Sequence, residues 1–300
     1  MTTPTSAAVT PAVPPPGTAR YQPRRTLSVR VELVRQLRRR RTLVAFALSV
    51  ALPLIVVAAV KLGPSSSDPG RGGFGDGDLD LVGLATAGAW NFTLTMLLFA
   101  SGFLLTILAA LFLGDTVASE ASWSTLRYLL AAPVPRRRLL RSKAIVGLLL
   151  TAATLLALVL ASLVIGALAF GTEPLTSPTG GTFSVGESAI RLSIIAGYIG
   201  ITLLLPAGIA FLMTVLTDVP LGAVGAAVVI VIVANILDAI EALGSLRRLL
   251  PGEYANAWVD ALGTEVDWDR MAIGAAYSVV VFSVLAAVAV LRFDRKDIVS

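Results

Sequence analysis

From residue 42 onward the chain alternates long apolar runs with short polar breaks. A helix needs about 20 apolar residues to cross a hydrocarbon core about 30 Å thick. Six runs reach or approach that length: residues 42–60, 91–113 (with a possible start near Leu84), 144–170, 192–216, 221–237 and 271–291. The pattern predicts an all-α integral membrane protein with six transmembrane helices. Only Thr217-Asp218-Val219-Pro220 separates the fourth run from the fifth. The Asp-Val-Pro break stops one helix before the next begins, so the pair reads as a tight helical hairpin, with a re-entrant hairpin as the alternative.

Other features extend this outline. Leu27, Val31, Val34 and Leu37 recur at spacings of four and three and share one face of a helix, whereas Arg30, Arg35, Arg38 and Arg39 occupy other faces. This pattern predicts a basic amphipathic helix lying in the membrane interface ahead of the first span, its arginines near anionic headgroups. Residues 1–26, rich in Pro, Thr, Ala and Ser, have no hydrophobic period and read as a disordered tail. The first run begins too late and extends too far for the core of a signal peptide, so an uncleaved helix is expected. Pro206 and Gly208 should bend the fourth span. Gly197 with Gly200, and Gly222 with Gly225, should allow close helix contact. Asn235 and Asp238 are expected to cap the end of the fifth span. Residues 63–80 and 171–187 read as flexible loops. Residues 239–270 mix apolar anchors with acids and suggest short helices dipping into a leaflet, with Trp258 and Trp268 as interface anchors.

Composition agrees with lipid as the solvent. Hydrophobic residues make up 56 % of the 300 and charged residues 14 %, against about 45–50 % and about 25 % in soluble domains. The mean hydropathy is +0.83. The absence of cysteine and histidine excludes disulfides, thiol chemistry and a histidine proton switch, and no cluster of carboxylates suggests a metal site. The net charge of +5 does not point to nucleic acid, because the cations follow the topology. With the N-terminus in the cytoplasm, eighteen of the 24 Lys and Arg fall inside and six outside. That split predicts a multi-pass membrane protein with both termini cytoplasmic, and the expected membrane is the plasma membrane.

The same topology puts residues 114–143 in the cytoplasm. Leu126, Leu129 and Leu130 share a face, Pro133 ends that short helix, and Arg136, Arg137, Arg138 and Arg141 precede the third span. With Glu120, Thr125-Leu126, Pro133, Arg136 and Lys143 in this order, the segment resembles the cytoplasmic coupling segment of ABC-2 type ABC transporter permeases. The layout of residues 27–298 as a whole is similar to that family, including the basic entry helix and the apolar segments between the last two spans.

The resemblance implies a type V, ABC-2 exporter-like transmembrane domain over 27–298. It further implies a permease pairing with a second copy or a related permease, and two ATP-binding subunits docked from the cytoplasm. Glu120, Thr125, Leu126, Leu129, Leu130, Pro133 and Arg136 would form the ATPase-coupling interface. The chain has no phosphate-binding Gly-x-x-x-x-Gly-Lys-Ser/Thr loop, so ATP would be bound by the partner, and the permease would be neither an enzyme nor a cofactor carrier. The expected cargo is a hydrophobic or amphipathic compound: a drug, an antibiotic or a lipid. Ion-coupled secondary transport or a channel is the alternative. The apolar runs 92–113, 144–170, 192–216 and 271–291 contain no Lys, Arg, Asp or Glu, and that argues against a charge relay.

Overall fold

A computed structural model describes residues 29–62, 81–122, 136–176, 181–263 and 265–295. The N-terminal tail, the loop 63–80 and residues 123–135 lie outside the described residues. Six helices are long and apolar enough to cross a membrane. Span 1 is Arg40–Leu62, span 2 Ala89–Gly114, span 3 Arg137–Phe170, span 4 Val185–Leu216, span 5 Pro220–Asp238 and span 6 Asp269–Arg295. The chain is an all-helical, multi-pass membrane protein. Among the described residues, β pairing is confined to a single bridge between Thr176 and Thr182.

Most spans outrun their apolar cores because neighbouring polar residues continue the helix. The helix of span 3 begins at Arg136, since Arg, Leu, Ser and Lys offer no break before Ala144. Span 4 begins seven residues before its apolar run. There Ser184 accepts the Glu187 N–H at 3.2 Å, one half of a Ser-x-x-Glu capping box. Pro220 opens span 5 at its first turn, where a missing N–H costs nothing. At 19 residues span 5 is long and apolar enough to cross, the length that the predicted hairpin of spans 4 and 5 requires.

Two spans are irregular. Span 2 carries a π turn at Ala100–Leu104. Span 4 divides into Val185–Thr202 and Leu204–Leu216 at Leu203, one turn before Pro206, whose ring removes the N–H that would bond back to Thr202. Gly208 has a different role from the bend expected of it. A Cβ there would stand 3.2 Å from the Phe282 Cα, so it is the place where spans 4 and 6 touch.

Span 1 packs on span 3, span 3 on span 2, span 2 on the second half of span 4, and that half on spans 5 and 6. Spans 2 and 4 are central, with 56 % of their apolar windows buried against 17 % for spans 1 and 6. The first half of span 4 and span 3 diverge around an apolar groove of about 800 Å³. Gly197 opens on that groove, and a Cβ added at Gly197 or at Gly225 would meet nothing within 4 Å. Gly200 does make the close approach expected of it, a Cβ there standing 3.3 Å from the Leu155 side chain of span 3, and tighter contacts occur at other glycines. A Cβ on Gly147 would stand 2.8 Å from Leu113, and one on Gly166 would stand 3.1 Å from the Ala89 Cα.

Gly166→Leu should therefore overpack spans 2 and 3 and destabilise the protein by about 1–3 kcal/mol. Gly197→Leu should leave the melting temperature of the purified protein unchanged. Equal melting of the two variants would refute this assignment of contacts.

Candidate functional site

The entry helix is described from Val29 to Leu37, Leu27 lying outside the described residues, and it ends there, turning at Arg38–Arg39 into span 1. Its apolar residues Val31, Val34 and Leu37 are exposed, as suits a helix whose greasy side meets lipid. The side facing the bundle is polar: Glu32 and Gln36, one turn apart, are buried. Packing against the start of span 3 sets them beside two other chain segments, the turn that ends span 2 and the first turns of span 3.

Lys143 lies at the centre, fully buried. Its Nζ donates to Glu120 at 2.6 Å and to the Thr116 carbonyl at 2.9 Å, and stands 3.7 Å from Glu32. Arg35 bridges the same two acids, 2.7 Å from Glu32 and 2.8 Å from Glu120. Gln36 donates to Glu32 at 3.0 Å and accepts from Arg41 at 2.9 Å. Arg41 also pairs with Asp115, and Arg39 stands 3.6 Å from the same carboxylate. Three carboxylates, Glu32, Asp115 and Glu120, thus interlock with Arg35, Arg39, Arg41 and Lys143. Spans 4 and 5 join at the same level. The Thr214 hydroxyl accepts the backbone N–H of Val117 at 3.2 Å and of Ala118 at 2.9 Å, and Gly114 is tight against Val224.

Electrostatics follows this geometry. Burial by itself would raise the Glu32 carboxyl. The charge of Lys143 and the hydrogen bonds from Arg35 and Gln36 outweigh it and hold the group below its ordinary value of 4.5. Burial works against the Arg35 guanidinium, yet Glu32 and Glu120 hold it above its ordinary value. Burial and the nearby Arg35 lower Arg39.

Of the residues singled out from sequence, Glu120, Arg35 and Arg39 come together here. Arg35 was expected to face headgroups and instead forms ion pairs across segments. Arg30 and Arg38 are exposed. Glu120 lies in a short helix, Ala118–Ser122, and Arg136 opens the helix of span 3. Thr125, Leu126, Leu129, Leu130 and Pro133 lie outside the described residues. Glu32, Gln36, Arg41 and Asp115 escaped the hydrophobic pattern, although Glu32 is the single acid among residues 1–60.

The opposite end is covered by a cap of 3₁₀ turns, Glu241–Leu249, Pro251–Tyr254 and Ala257–Leu262. Arg191 fastens it, donating to the Ala261 and Gly263 carbonyls at 2.6 Å each while its guanidinium stacks 4.0 Å from the Phe183 ring centre. The Tyr198 hydroxyl donates to the Tyr254 carbonyl at 2.6 Å. Trp258 is buried in this contact rather than anchoring at an interface, and Trp268 is exposed. Asp238 faces Arg247 of the cap at 3.5 Å, an ion pair in place of the expected helix cap.

The chain belongs to the family described as protein of unknown function DUF2705, whose profile matches residues 73–299. No curated protein matches it.

Removing one partner from the buried network leaves the others uncompensated. Lys143→Ala should cost about 3–5 kcal/mol, read as a lowered melting temperature in detergent. A loss below about 1 kcal/mol, the level of an exposed pair, would contradict the burial. The acid response has a definite sign. The folded value of Glu32 lies below the unfolded one, so its stabilisation is complete above pH 4.5 and disappears as pH falls through the folded value. The gap in melting temperature between wild type and Glu32→Gln should hold from neutrality to about pH 4.5 and narrow below it. A gap that widens in acid would reverse the assignment.

Proposed function

We propose that this chain is the permease half of an ATP-driven ABC transporter of ABC-2 type. It exports a hydrophobic or amphipathic compound, and a separate subunit binds and hydrolyses ATP. The buried network around Lys143 carries this reading. It ties the turn after span 2 to the entry helix and to span 3, while Thr214 ties the same turn to span 4. A partner pressing on the segment that follows Ala118–Ser122 would move several spans together, which is what rigid-body coupling requires.

In this reading the charged end is cytoplasmic, the cap is outside, and the membrane is the plasma membrane. Two permease chains and two ATP-binding subunits make the working assembly, and the coupling contacts come from the segment through Arg136, which the buried Glu120 anchors to the bundle. The uncharged interiors of spans 2, 3, 4 and 6 support an external energy source over an ion gradient.

Co-expression with an ABC ATP-binding subunit encoded beside this chain should give a complex that co-purifies and transports only with ATP. A Leu126→Asp, Leu130→Asp double variant leaves the Lys143 network untouched. It should abolish co-purification and cut transport by at least about ten-fold, the effect of about 1.4 kcal/mol of lost docking energy. Transport driven by an ion gradient alone, without any ATPase, would refute the proposal and favour secondary transport.

A further inference from the structure

The two helix irregularities share one height. At 1.5 Å per residue, Gly102 in the π turn, Thr202 before the span 4 break and Asn235 of span 5 each stand about 20 Å from the charged ends of their helices. That is the far half of a core about 30 Å thick. Between them lies a cleft of about 110 Å³, roofed by Tyr254, Ala255 and Asn256 of the cap.

Its walls differ from the rest of the bundle. Ser101, Thr106 and Ser278 donate their hydroxyl protons to carbonyls of their own helices, at 3.2, 2.9 and 2.9 Å, so their oxygens keep free lone pairs toward the cleft. The Asn235 and Asn256 carboxamides also line it, and neither side chain bonds to a described residue. Asn235 lies at this depth, where an amide without a partner is costly in hydrocarbon, and Asn256 is exposed in the cap above it. No charged residue contributes to the walls. The cleft is open sideways. Gly102 and Asn235 are exposed, and a Cβ on Gly102 would meet nothing within 4 Å.

We propose that this cleft binds the uncharged, hydrogen-bonding head of an amphipathic molecule whose apolar part stays in the bilayer. Size and chemistry both select that occupant. A pocket for a whole small molecule holds about 300–1,000 Å³, so 110 Å³ takes a head and not a body. Hydroxyl oxygens and carboxamides match a hydroxyl or amide head, whereas an ionised head would be buried without a counter-charge. π turns recur at functional sites because the widened turn frees backbone and space. That the occupant is cargo rests on the permease reading; its binding does not.

The test uses the purified permease alone, in phosphatidylcholine nanodiscs, with a diazirine-tagged monoacylglycerol as probe. Adducts should map to residues 98–106 and 254–256 and saturate. Gly102→Leu fills the opening and should reduce labelling by at least about five-fold, the factor for one lost hydrogen bond. Asn235→Leu with Asn256→Leu should do the same, and the melting temperature of each variant should match wild type. Probes with the same chain and a carboxylate or trimethylammonium head should label these residues about five-fold less. Absence of adducts there, adducts confined to the groove between spans 3 and 4, indifference to both sets of substitutions, or equal labelling by charged heads would each overturn the site. If no ATPase co-purifies while labelling behaves as expected, the permease reading falls and the binding site stands.

Discussion

Lys143 is an ammonium taken out of water, and the charged end of the protein is organised by that fact. A lone buried cation costs several kcal/mol, and only nearby carboxylates with good hydrogen bonds offset it. Glu120 supplies one from the end of span 2, Glu32 supplies another from the entry helix, and the Thr116 carbonyl fills the remaining direction. Two buried acids around one amine would leave negative charge in excess, and Arg35 supplies the second cation between them. Each member therefore holds its place because the others do. An entry helix that slid or rolled by one turn would strand Glu32 and Lys143 together, so the network fixes its position more tightly than the interface alone could.

The rest of the bundle is built without such charges. Thr93, Thr95, Thr151, Thr154 and Ser278 satisfy their hydroxyls within their own helices. Helices bound in this way depend little on polar groups of their neighbours, and their mutual contacts rest on shape at Gly114, Gly147, Gly166 and Gly208. At the far end Arg191 returns to the first device, a buried cation locked by carbonyls and an aromatic face, and there it holds a cap.

The spans were legible in the sequence because a membrane helix announces itself by an unbroken apolar run, whatever it packs against. Direction of packing was not legible by the same rule. In a soluble helix the apolar face is the buried one; here Val31, Val34 and Leu37 face outward and Glu32 and Gln36 face inward, since lipid accepts the apolar side and the charged core accepts the polar one. Small residues were ambiguous for a related reason. Gly197 and Gly166 look alike in sequence, yet one opens on a groove and the other touches a neighbouring backbone, and only the crossing of spans 2, 3 and 4 decides between them. Arg191 lies outside the apolar run of span 4, and its place in the helix was hidden because that helix begins seven residues before the run.

A stiff end and a yielding end suit a machine driven from outside the membrane. If a partner pushes near Ala118–Ser122, ion pairs at 2.6–2.8 Å pass the displacement to the entry helix and span 3 without slack. Regular helices then carry it inward as rods. The displacement is absorbed where the hydrogen-bond ladder is already irregular, at the Ala100–Leu104 π turn and at Leu203. These two places face the same cleft. A small rotation at the charged end would thus change the shape of that cleft, with no ionisable group in the spans having to gain or lose a proton.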